Sequence, residues 1–306
     1  MNYLKWATSP VGLAVGLLLG SLGGPQGPAA APGANDQGFE SFLWDDGTAE
    51  FSTYVGTTRR YGEDRATEAR IVVVKEDLLR ATLVKSEQGP VPGKTLEAIK
   101  LNVLVDFQTG VYTYHQMASV FFDRRTMEVL KETMSHTEAC GITYVRVGPK
   151  QGRLVHEAHS YWEGEADREV PLRWPAGGEP LYWDALPVSL RRWMAGPSGP
   201  SEQRVWLLPS QVSGRSPVES TRPARATIRM SDVATIQVPA GRFAARRFEV
   251  QTAQGADTLW LDRRFPHTML KLDTAAGRHL ALRQTLRLDY WNRHRNGDER
   301  ILLSAQ

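Results

Sequence analysis

The densest group of chemically capable side chains in this sequence is His136, Glu138 and Cys140. Alternate residues of a β-strand project to the same side, so a strand here would carry all three on one face. Imidazole, carboxylate and thiolate groups bind zinc, and a thiol beside an imidazole can act as a nucleophile. Same-face neighbours lie about 7 Å apart along a strand, which is too far to share one ion without a second strand. We therefore interpret this group as a buried cysteine beside a solvated histidine and glutamate, and assign no metal site and no catalytic residue.

A second group consists of the alternating acids Glu163, Glu165 and Asp167. On one face they could bind calcium or supply the acid and base of a glycoside hydrolase. Alternating acids are also ordinary on the solvated face of a strand, and Gly164 between them favours a bulge. We interpret the group as a polar strand face.

Aromatic side chains supply the candidate ligand-binding residues. Tyr112 and Tyr114 share one strand face, and large aromatic rings often line the apolar wall of a small-molecule pocket. The candidate residues are Tyr112, Tyr114, Trp162, Trp183, Trp193 and Trp206.

Period-two patterns dominate the segments that would position these residues. In the strongest, Leu280, Leu282, Leu286 and Leu288 alternate with polar residues, with a break at Gln284. This predicts a long strand with one apolar and one wet face, which is typical of antiparallel sheet. Further strands are predicted at 49–55, 69–75, 99–107, 110–116, 141–147, 226–230, 235–239, 242–250, 257–262 and 268–273.

One helix stands out between the two β-rich parts of the sequence. Asp184 is a candidate N-cap, Pro187 fits the first turn, and 186, 190, 193 and 194 form an apolar face that ends before Gly196. The predicted fold is mainly β, with one or two curved antiparallel sheets of half-barrel type and one short amphipathic helix near 184–195. We divide the chain into a signal peptide at 1–34, an N-terminal β-rich half at 38–170 and a C-terminal half at 171–306.

The first 34 residues have the pattern of a secretory signal peptide. Lys5 precedes an uncharged run of about 12 residues at 11–22, and a Gly, Pro and Ala segment with a cleavage zone near 30–34 follows. This run is shorter than the roughly 20 residues that span a bilayer. The sequence predicts a periplasmic or secreted protein with no transmembrane anchor after cleavage.

Composition limits the remaining possibilities. The chain has 37 Lys and Arg against 34 Asp and Glu, and no basic cluster follows the pattern of a nucleic-acid-binding module. The sequence contains no P-loop, G-x-S-x-G, H-E-x-x-H or G-x-G-x-x-G motif. We predict no cofactor, no nucleic-acid partner and no internal disulfide, because Cys140 is the single cysteine.

Several short segments resemble a family of exported bacterial β-proteins of unknown function, some of which carry a septum formation inhibitor label. In the N-terminal half they are WDDGTAE (44–50), RRYGE (59–63), KLN (100–102), FQTGVY (107–112), EACG (138–141) and SYWEGE (160–165). In the C-terminal half they are WDAL (183–186), VPAGRF (238–243) and LWLD (259–262). The resemblance implies a half-barrel similar to periplasmic lipoprotein carriers, with a helix against the concave side, and implies no catalytic residues. Nothing in the sequence supports a nucleotide-directed role.

Three functions remain open at this stage. The favoured one is non-enzymatic binding of a hydrophobic or amphipathic ligand, or of an envelope component, on the concave sheet. The second is a structural or assembly role in the cell envelope through exposed sheet edges, with an envelope protein as partner. The third is a hydrolase of envelope glycan or lipid that uses Glu163 and Glu165, or His136 and Cys140.

Overall fold

The computed structural model describes residues 38–194 and 202–302, so the predicted signal peptide lies outside the described residues. The described chain is mainly β, which confirms the predicted fold class. Its strands are β1 Ala49–Arg60, β2 Glu63–Leu79, β3 Thr95–Thr109, β4 Tyr112–Asp123, β5 Val129–Glu138, β6 Gly141–Lys150, β7 Arg153–Ser160, β8 Arg168–Pro171, β9 Glu179–Tyr182, β10 Glu202–Leu208, β11 Ala224–Val238, β12 Gly241–Thr252, β13 Gly255–Asp262, β14 Met269–Asp273 and β15 Arg278–Leu288.

All fifteen strands belong to one open, curved sheet. Their spatial order is β8-β7-β6-β5-β4-β3-β2-β1-β15-β14-β13-β12-β11-β10-β9. Neighbours are antiparallel except β9 and β10, which are parallel. The sequence left one or two sheets open, and the structure joins both halves in one sheet through the pairing of β1 with β15. The division into two domains stays a prediction.

The connection between β8 and β9 requires strong curvature. These two strands form opposite edges of the sheet but are joined by only seven residues, 172–178. Such a segment reaches at most about 30 Å. A flat sheet of this many strands would separate its edges by about 65 Å, given about 4.8 Å between neighbours. The sheet therefore curls until its edges approach, which gives the half-barrel an enclosed concave side.

The predicted long strand with one apolar face is correct only in its first part. A register shift in the β1–β15 pairing places Thr53 opposite Gln284 and Tyr54 opposite Leu282, so a β-bulge interrupts β15 where the sequence pattern breaks. Leu280 and Leu282 lie in the main core. Beyond the bulge the strand has changed sides: Leu288 pairs with Ala49, which belongs to a small separate cluster with Val72 and Val74.

The predicted helix is present at 183–194 and consists of one α-helical turn, Leu186–Ser189, between the 3₁₀ turns Trp183–Ala185 and Leu190–Met194. Pro187 lies in the first α-helical turn. The N-cap prediction was wrong: Asp184 lies inside the first 3₁₀ turn, and its carboxylate accepts hydrogen bonds from Ser210 Oγ and the Gln211 backbone N–H, both at 2.6 Å.

A buried ion pair fixes this helical segment against the middle of the sheet. Arg191 Nη1 and Nη2 each donate to a Glu50 carboxylate oxygen at 2.8 Å, and both side chains are only 3% exposed. Arg191 also donates to the carbonyls of Pro187 and Pro266. The bidentate geometry and the extra acceptors compensate the guanidinium for the water that it loses.

Candidate functional site

The concave side of the sheet contains a cavity of about 450 Å³, which is within the range of about 300–1,000 Å³ typical of small-molecule sites. Its wall is formed by residues of β1, β3, β4, β5, β11, β12, β13 and β15, by Trp183 of the helical segment and by residues between 207 and 214. Exposed residues at Arg59, Gln254 and Ala276 mark its opening. The lining residues are Thr58, Arg59, Arg60, Phe107, Tyr114, Gln116, His136, Trp183, Leu207, Pro209, Ser210, Val212, Ser213, Gly214, Ala224, Thr252, Gln254, Asp257, Thr274, Ala276 and Arg278.

The strand register brings the polar part of this wall together. Gln116 of β4 lies directly opposite His136 of β5, and Thr58 of β1 lies directly opposite Arg278 of β15. Side chains of directly opposed residues in an antiparallel pair share a face and lie close together. Gln116 bridges the two pairs, because its Oε1 accepts a hydrogen bond from Arg278 Nη2 at 2.6 Å.

These hydrogen bonds determine the proton position on His136. The Gln116 carbonyl oxygen is taken by Arg278, so the Gln116 amide nitrogen faces His136 Nδ1 at 3.2 Å. An amide NH₂ only donates, so Nδ1 accepts and the proton of the neutral imidazole lies on Nε2. Desolvation, with a smaller contribution from the positive charge of Arg60, lowers the pKa of His136 despite the opposing effect of Glu138. The imidazole is therefore neutral at neutral pH.

The Nε2 side of His136 has no hydrogen-bond partner among the described residues. Glu138 Oε1 lies 3.6 Å away, beyond hydrogen-bond distance. Gly214 packs so closely that a Cβ there would come within 2.8 Å of Nε2. A glycine is needed at this point of the cavity wall because any larger residue would displace the imidazole.

Arg278 is a cation of the cavity wall whose hydrogen bonds go to neutral groups. Its Nε donates to Thr58 Oγ1 at 3.2 Å and its Nη2 to Gln116 Oε1 at 2.6 Å. Among the described residues, it forms no ion pair with a carboxylate. Desolvation lowers the pKa of Arg278 to about 10, against a smaller opposing attraction from Asp184. The group stays protonated at neutral pH.

Tyrosine hydroxyls and a second arginine surround the cavity near its opening. Arg60 Nη2 donates to the hydroxyls of Tyr61 and Tyr114, each at 3.3 Å, and these two hydroxyls lie 3.0 Å apart. The Tyr114 ring stacks on Phe107, with centroids 4.8 Å apart. Desolvation raises the pKa of Tyr114, so the phenol is neutral. Arg60 thus meets ring faces and hydroxyls rather than a carboxylate.

The one carboxylate among the lining residues, Asp257, accepts a hydrogen bond from a protein donor at each of its oxygens. Trp183 Nε1 donates to Asp257 Oδ2 at 2.5 Å, and the Ala275 backbone N–H donates to Oδ1 at 2.8 Å. These contacts fix the Trp183 indole against the cavity. On this wall, cationic donors without a protein partner therefore outnumber anionic acceptors without one.

The six aromatic residues predicted as ligand contacts occupy different places. Tyr114 and Trp183 line the cavity, and Tyr112 lies beside Tyr114 with ring centroids 5.5 Å apart. Trp193 packs on Phe248 in the core, at 6.2 Å between centroids.

The remaining two tryptophans lie away from the cavity lining. Trp206 donates to the carbonyls of Ala176 and Gly177 and lies under Arg225. Trp162 lies under Arg215, at 4.8 Å from the guanidinium carbon to the ring centroid. The structure therefore brings together part of the predicted set, and a role in ligand contact stays a prediction for each residue.

The interpretation of the His136 group was wrong in its burial. Cys140 is exposed at the turn after β5, whereas the side chains of His136 and Glu138 are each only 2% exposed. The strand ends at Glu138, so the alternation does not continue to Cys140. The inner face of β5 also carries Glu132 and Met134, both buried. Three of its four inward positions are thus polar.

The interpretation of the acidic group as a strand face was also wrong. The chain turns between β7 and β8, so Glu163, Glu165 and Asp167 lie in a loop and not on one face. Glu165 is buried and accepts from Arg215 Nε at 2.8 Å and the Ser216 backbone N–H at 2.7 Å. Within 38–194 and 202–302, no group of three or more His, Cys, Asp or Glu residues is arranged to hold a metal ion.

Sequence reasoning missed Arg278 and Gln116. A signal for Arg278 was present, because it shares the parity of Leu280 and Leu282 and so had to face the apolar side of β15. A charged residue at an inward position is rare unless it is paired or functional. Gln116 gave no comparable signal, since its role depends on β15 lying on the far side of the cavity.

Comparisons with known proteins give few relatives. No family model and no curated protein matches this chain. Among solved structures, it is similar to a beta-barrel-like protein of domain of unknown function DUF1849 from Brucella abortus. The two share 9% sequence identity and a TM-score of 0.45, over 79% of this chain and 98% of that chain. No helix in the described part of the chain is long and apolar enough to cross a membrane.

Proposed function

We propose that this protein works outside the cytoplasm and binds a small amphipathic molecule in the cavity, without chemical conversion. The observation that carries the proposal is a cavity of about 450 Å³ on the concave side of the sheet with an apolar wall and a few fixed polar groups. Phe107, Trp183, Leu207 and Val212 supply apolar surface. Such a combination is typical of small-molecule sites, in which apolar contact gives affinity and polar groups set orientation.

The rigidity of the cavity wall supports this proposal. Three of the polar or aromatic lining groups are held by other side chains: Trp183 by Asp257, Gln116 by Arg278, and Tyr114 by Phe107. A wall that is already ordered loses little conformational entropy when a ligand enters.

Assembly through sheet edges has less support. The edge strands β8 and β9 are each four residues long. Short edge strands offer few free backbone groups to another chain. The segment after β10 also approaches the β8 side, where Arg168 donates to the Ser216 carbonyl.

The test is a titration of delipidated protein with dodecanoate, followed by tryptophan fluorescence and calorimetry. We expect saturable binding with a change in emission, because Trp183 lies in the cavity wall. Trp183→Phe should lose most of that change and still bind in the calorimeter. Trp193→Phe is the matched control, because Trp193 is packed against Phe248 and should leave the ligand-induced change intact. Calorimetric and fluorescence titrations without saturable binding would refute the proposal.

A further inference from the structure

Arg278 has hydrogen-bond donors on the cavity wall that no described residue accepts. A guanidinium has five N–H donors, and the structure accounts for bonds from Nε and Nη2 only, to the neutral oxygens of Thr58 and Gln116. A desolvated charge that lacks a counter-charge raises the free energy of the folded protein. An anion entering the cavity would supply both the missing charge and the missing acceptors.

The surrounding carboxylates are occupied elsewhere. Asp257 receives Trp183 and Ala275, as described above, and Asp184 receives Ser210 and Gln211 at 2.6 Å each. Asp184 attracts Arg278 only from beyond ion-pair distance. The protein itself thus provides Arg278 with no carboxylate in contact among the described residues.

A second cation lies on the same face, nearer the opening. Thr58 and Arg60 are two positions apart on β1 and face the same side, so Arg60 is placed about 7 Å from Thr58 along the strand. Arg60 Nη2 donates to tyrosine hydroxyls, and its Nε has no partner among the described residues. Two guanidinium groups with neutral partners therefore face one cavity.

Guanidinium N–H groups that face a cavity without acceptors are the usual receptor for carboxylate and phosphate oxygens. His136 belongs to the same wall but adds no donor to this pair, because its Nε2 is buried and Gly214 packs against it.

We infer that the ligand of this cavity carries an oxyanion at one end, a carboxylate or a phosphate monoester, and that Arg278 binds it with help from Arg60. This inference rests on the proposed function and adds the chemical class of the ligand's polar end. The apolar part of the ligand then lies along Phe107, Trp183 and Leu207. Carboxylates and phosphates share the acceptor chemistry that a guanidinium recognises.

The experiment compares probes with the same twelve-carbon chain and different ends: dodecanoate, dodecyl phosphate, dodecanol and dodecyltrimethylammonium. Calorimetry at low salt should give at least ten-fold tighter binding of the two anions than of dodecanol. A hydrogen bond to a charged group is worth about 1.5–3 kcal/mol, or roughly a factor of 10–100 in affinity. The anion that binds more tightly shows whether the site prefers a carboxylate or a phosphate head group. The cation should bind weakest.

Three variants test whether Arg278 is the source of the preference for anions. Arg278→Met should lose the ten-fold preference for anions and keep the affinity for dodecanol, whereas Arg278→Lys should retain part of the preference. Arg283→Met is the matched control on the same strand, because Arg283 is outside the cavity lining and lies 3.9 Å from Glu68. It should bind all four probes as the unmodified protein does.

Each outcome bears on one of the two proposals. Equal affinity for dodecanoate and dodecanol, in the unmodified protein and in Arg278→Met alike, would overturn the oxyanion inference and leave the proposed function standing. Failure of every probe to bind would refute the proposed function itself. Thermal unfolding of each variant confirms that a lost preference does not come from a lost fold.

Discussion

Two arginines on the concave side of the curved sheet contact opposite ends of strand β1, and they differ in their hydrogen-bond partners. Arg191 meets Glu50 in a bidentate ion pair and two backbone carbonyls. Arg278 meets only Thr58 and Gln116. Glu50 and Thr58 lie on the same strand, eight positions and about 26 Å apart. At one end of β1 the protein thus supplies a counter-charge and acceptors for the arginine. At the other end it leaves donors of the arginine free.

The cavities at the two ends differ in the same way. The smaller one, of about 250 Å³, is lined by Arg191 and Arg124, and Arg124 pairs with Asp45 and Glu97. The larger one is lined by Arg60 and Arg278, whose hydrogen bonds go to neutral groups, and by Arg59, which pairs with Asp64. The comparison separates an arginine whose charge the protein itself neutralises from one whose donors remain free.

The largest expected effect comes from breaking the ion pair between Arg191 and Glu50. Arg191→Met leaves the buried Glu50 carboxylate without a partner and should lower the free energy of unfolding by about 3–5 kcal/mol. Urea denaturation followed by circular dichroism measures the loss. Arg278→Met should change the free energy of unfolding by less than about 1 kcal/mol in either direction, because its removal leaves no buried carboxylate unpaired.

A matched double variant tests the assignment of that loss. Glu50→Gln combined with Arg191→Met should recover part of the stability, because the unpaired carboxylate is gone. Equal losses for Arg191→Met and Arg278→Met would contradict the comparison of the two ends.

A smaller effect is expected at Glu132, a buried carboxyl group that avoids an unpaired charge by keeping its proton. Its side chain lies on the inner face of β5 and is 1% exposed. Desolvation and the neighbouring Asp184 raise the pKa of Glu132 in the folded protein. The folded state therefore holds a proton that the unfolded state releases above its own pKa, so stability falls as the pH rises from that value toward the folded pKa. An arginine cannot release its charge in this way.

Glu132→Gln should remove this pH dependence and make the protein more stable than the unmodified one at pH 8. Urea denaturation of both proteins between pH 4 and pH 8 measures the difference. At pH 4, where the glutamate is protonated in the folded state and mostly protonated in the unfolded state, the two proteins should be nearly equal. A difference that stays constant across this range would argue against a retained proton.

The smallest effect is expected at Cys140, on a turn at the same end of the sheet as Arg278. The thiol is exposed, so Cys140→Ser should change the free energy of unfolding by less than about 0.5 kcal/mol and leave dodecanoate binding unchanged. Native protein should react with a thiol reagent in one fast phase. A slow reaction that is limited by unfolding would show that the thiol is buried, as the sequence analysis predicted. The variant also serves as a baseline for changes at this end that do not touch the cavity.

The sequence predicted ten of the fifteen strands and the helix, missed β5, β7, β8, β9 and β10, divided β11 into two strands, and identified the site only in part. Alternation identified β15 and its irregularity at Gln284, because inward and outward positions differ in polarity wherever one sheet face is buried. Tyr114 and Trp183 were found through residue type alone. His136 was assigned the wrong environment, because local pattern does not report which other elements cover a strand.

The amino-acid sequence by itself determined that this chain forms mainly β-strands with one short helix. Those features depend on contacts between residues close in sequence, which leave a local period. Only the tertiary structure decided that β1 pairs with β15, that the edges approach, and that Gln116 and Arg278, 162 positions apart, share a hydrogen bond. Strand neighbours follow from the packing of the whole sheet, and no local pattern specifies which distant strand completes a cavity wall.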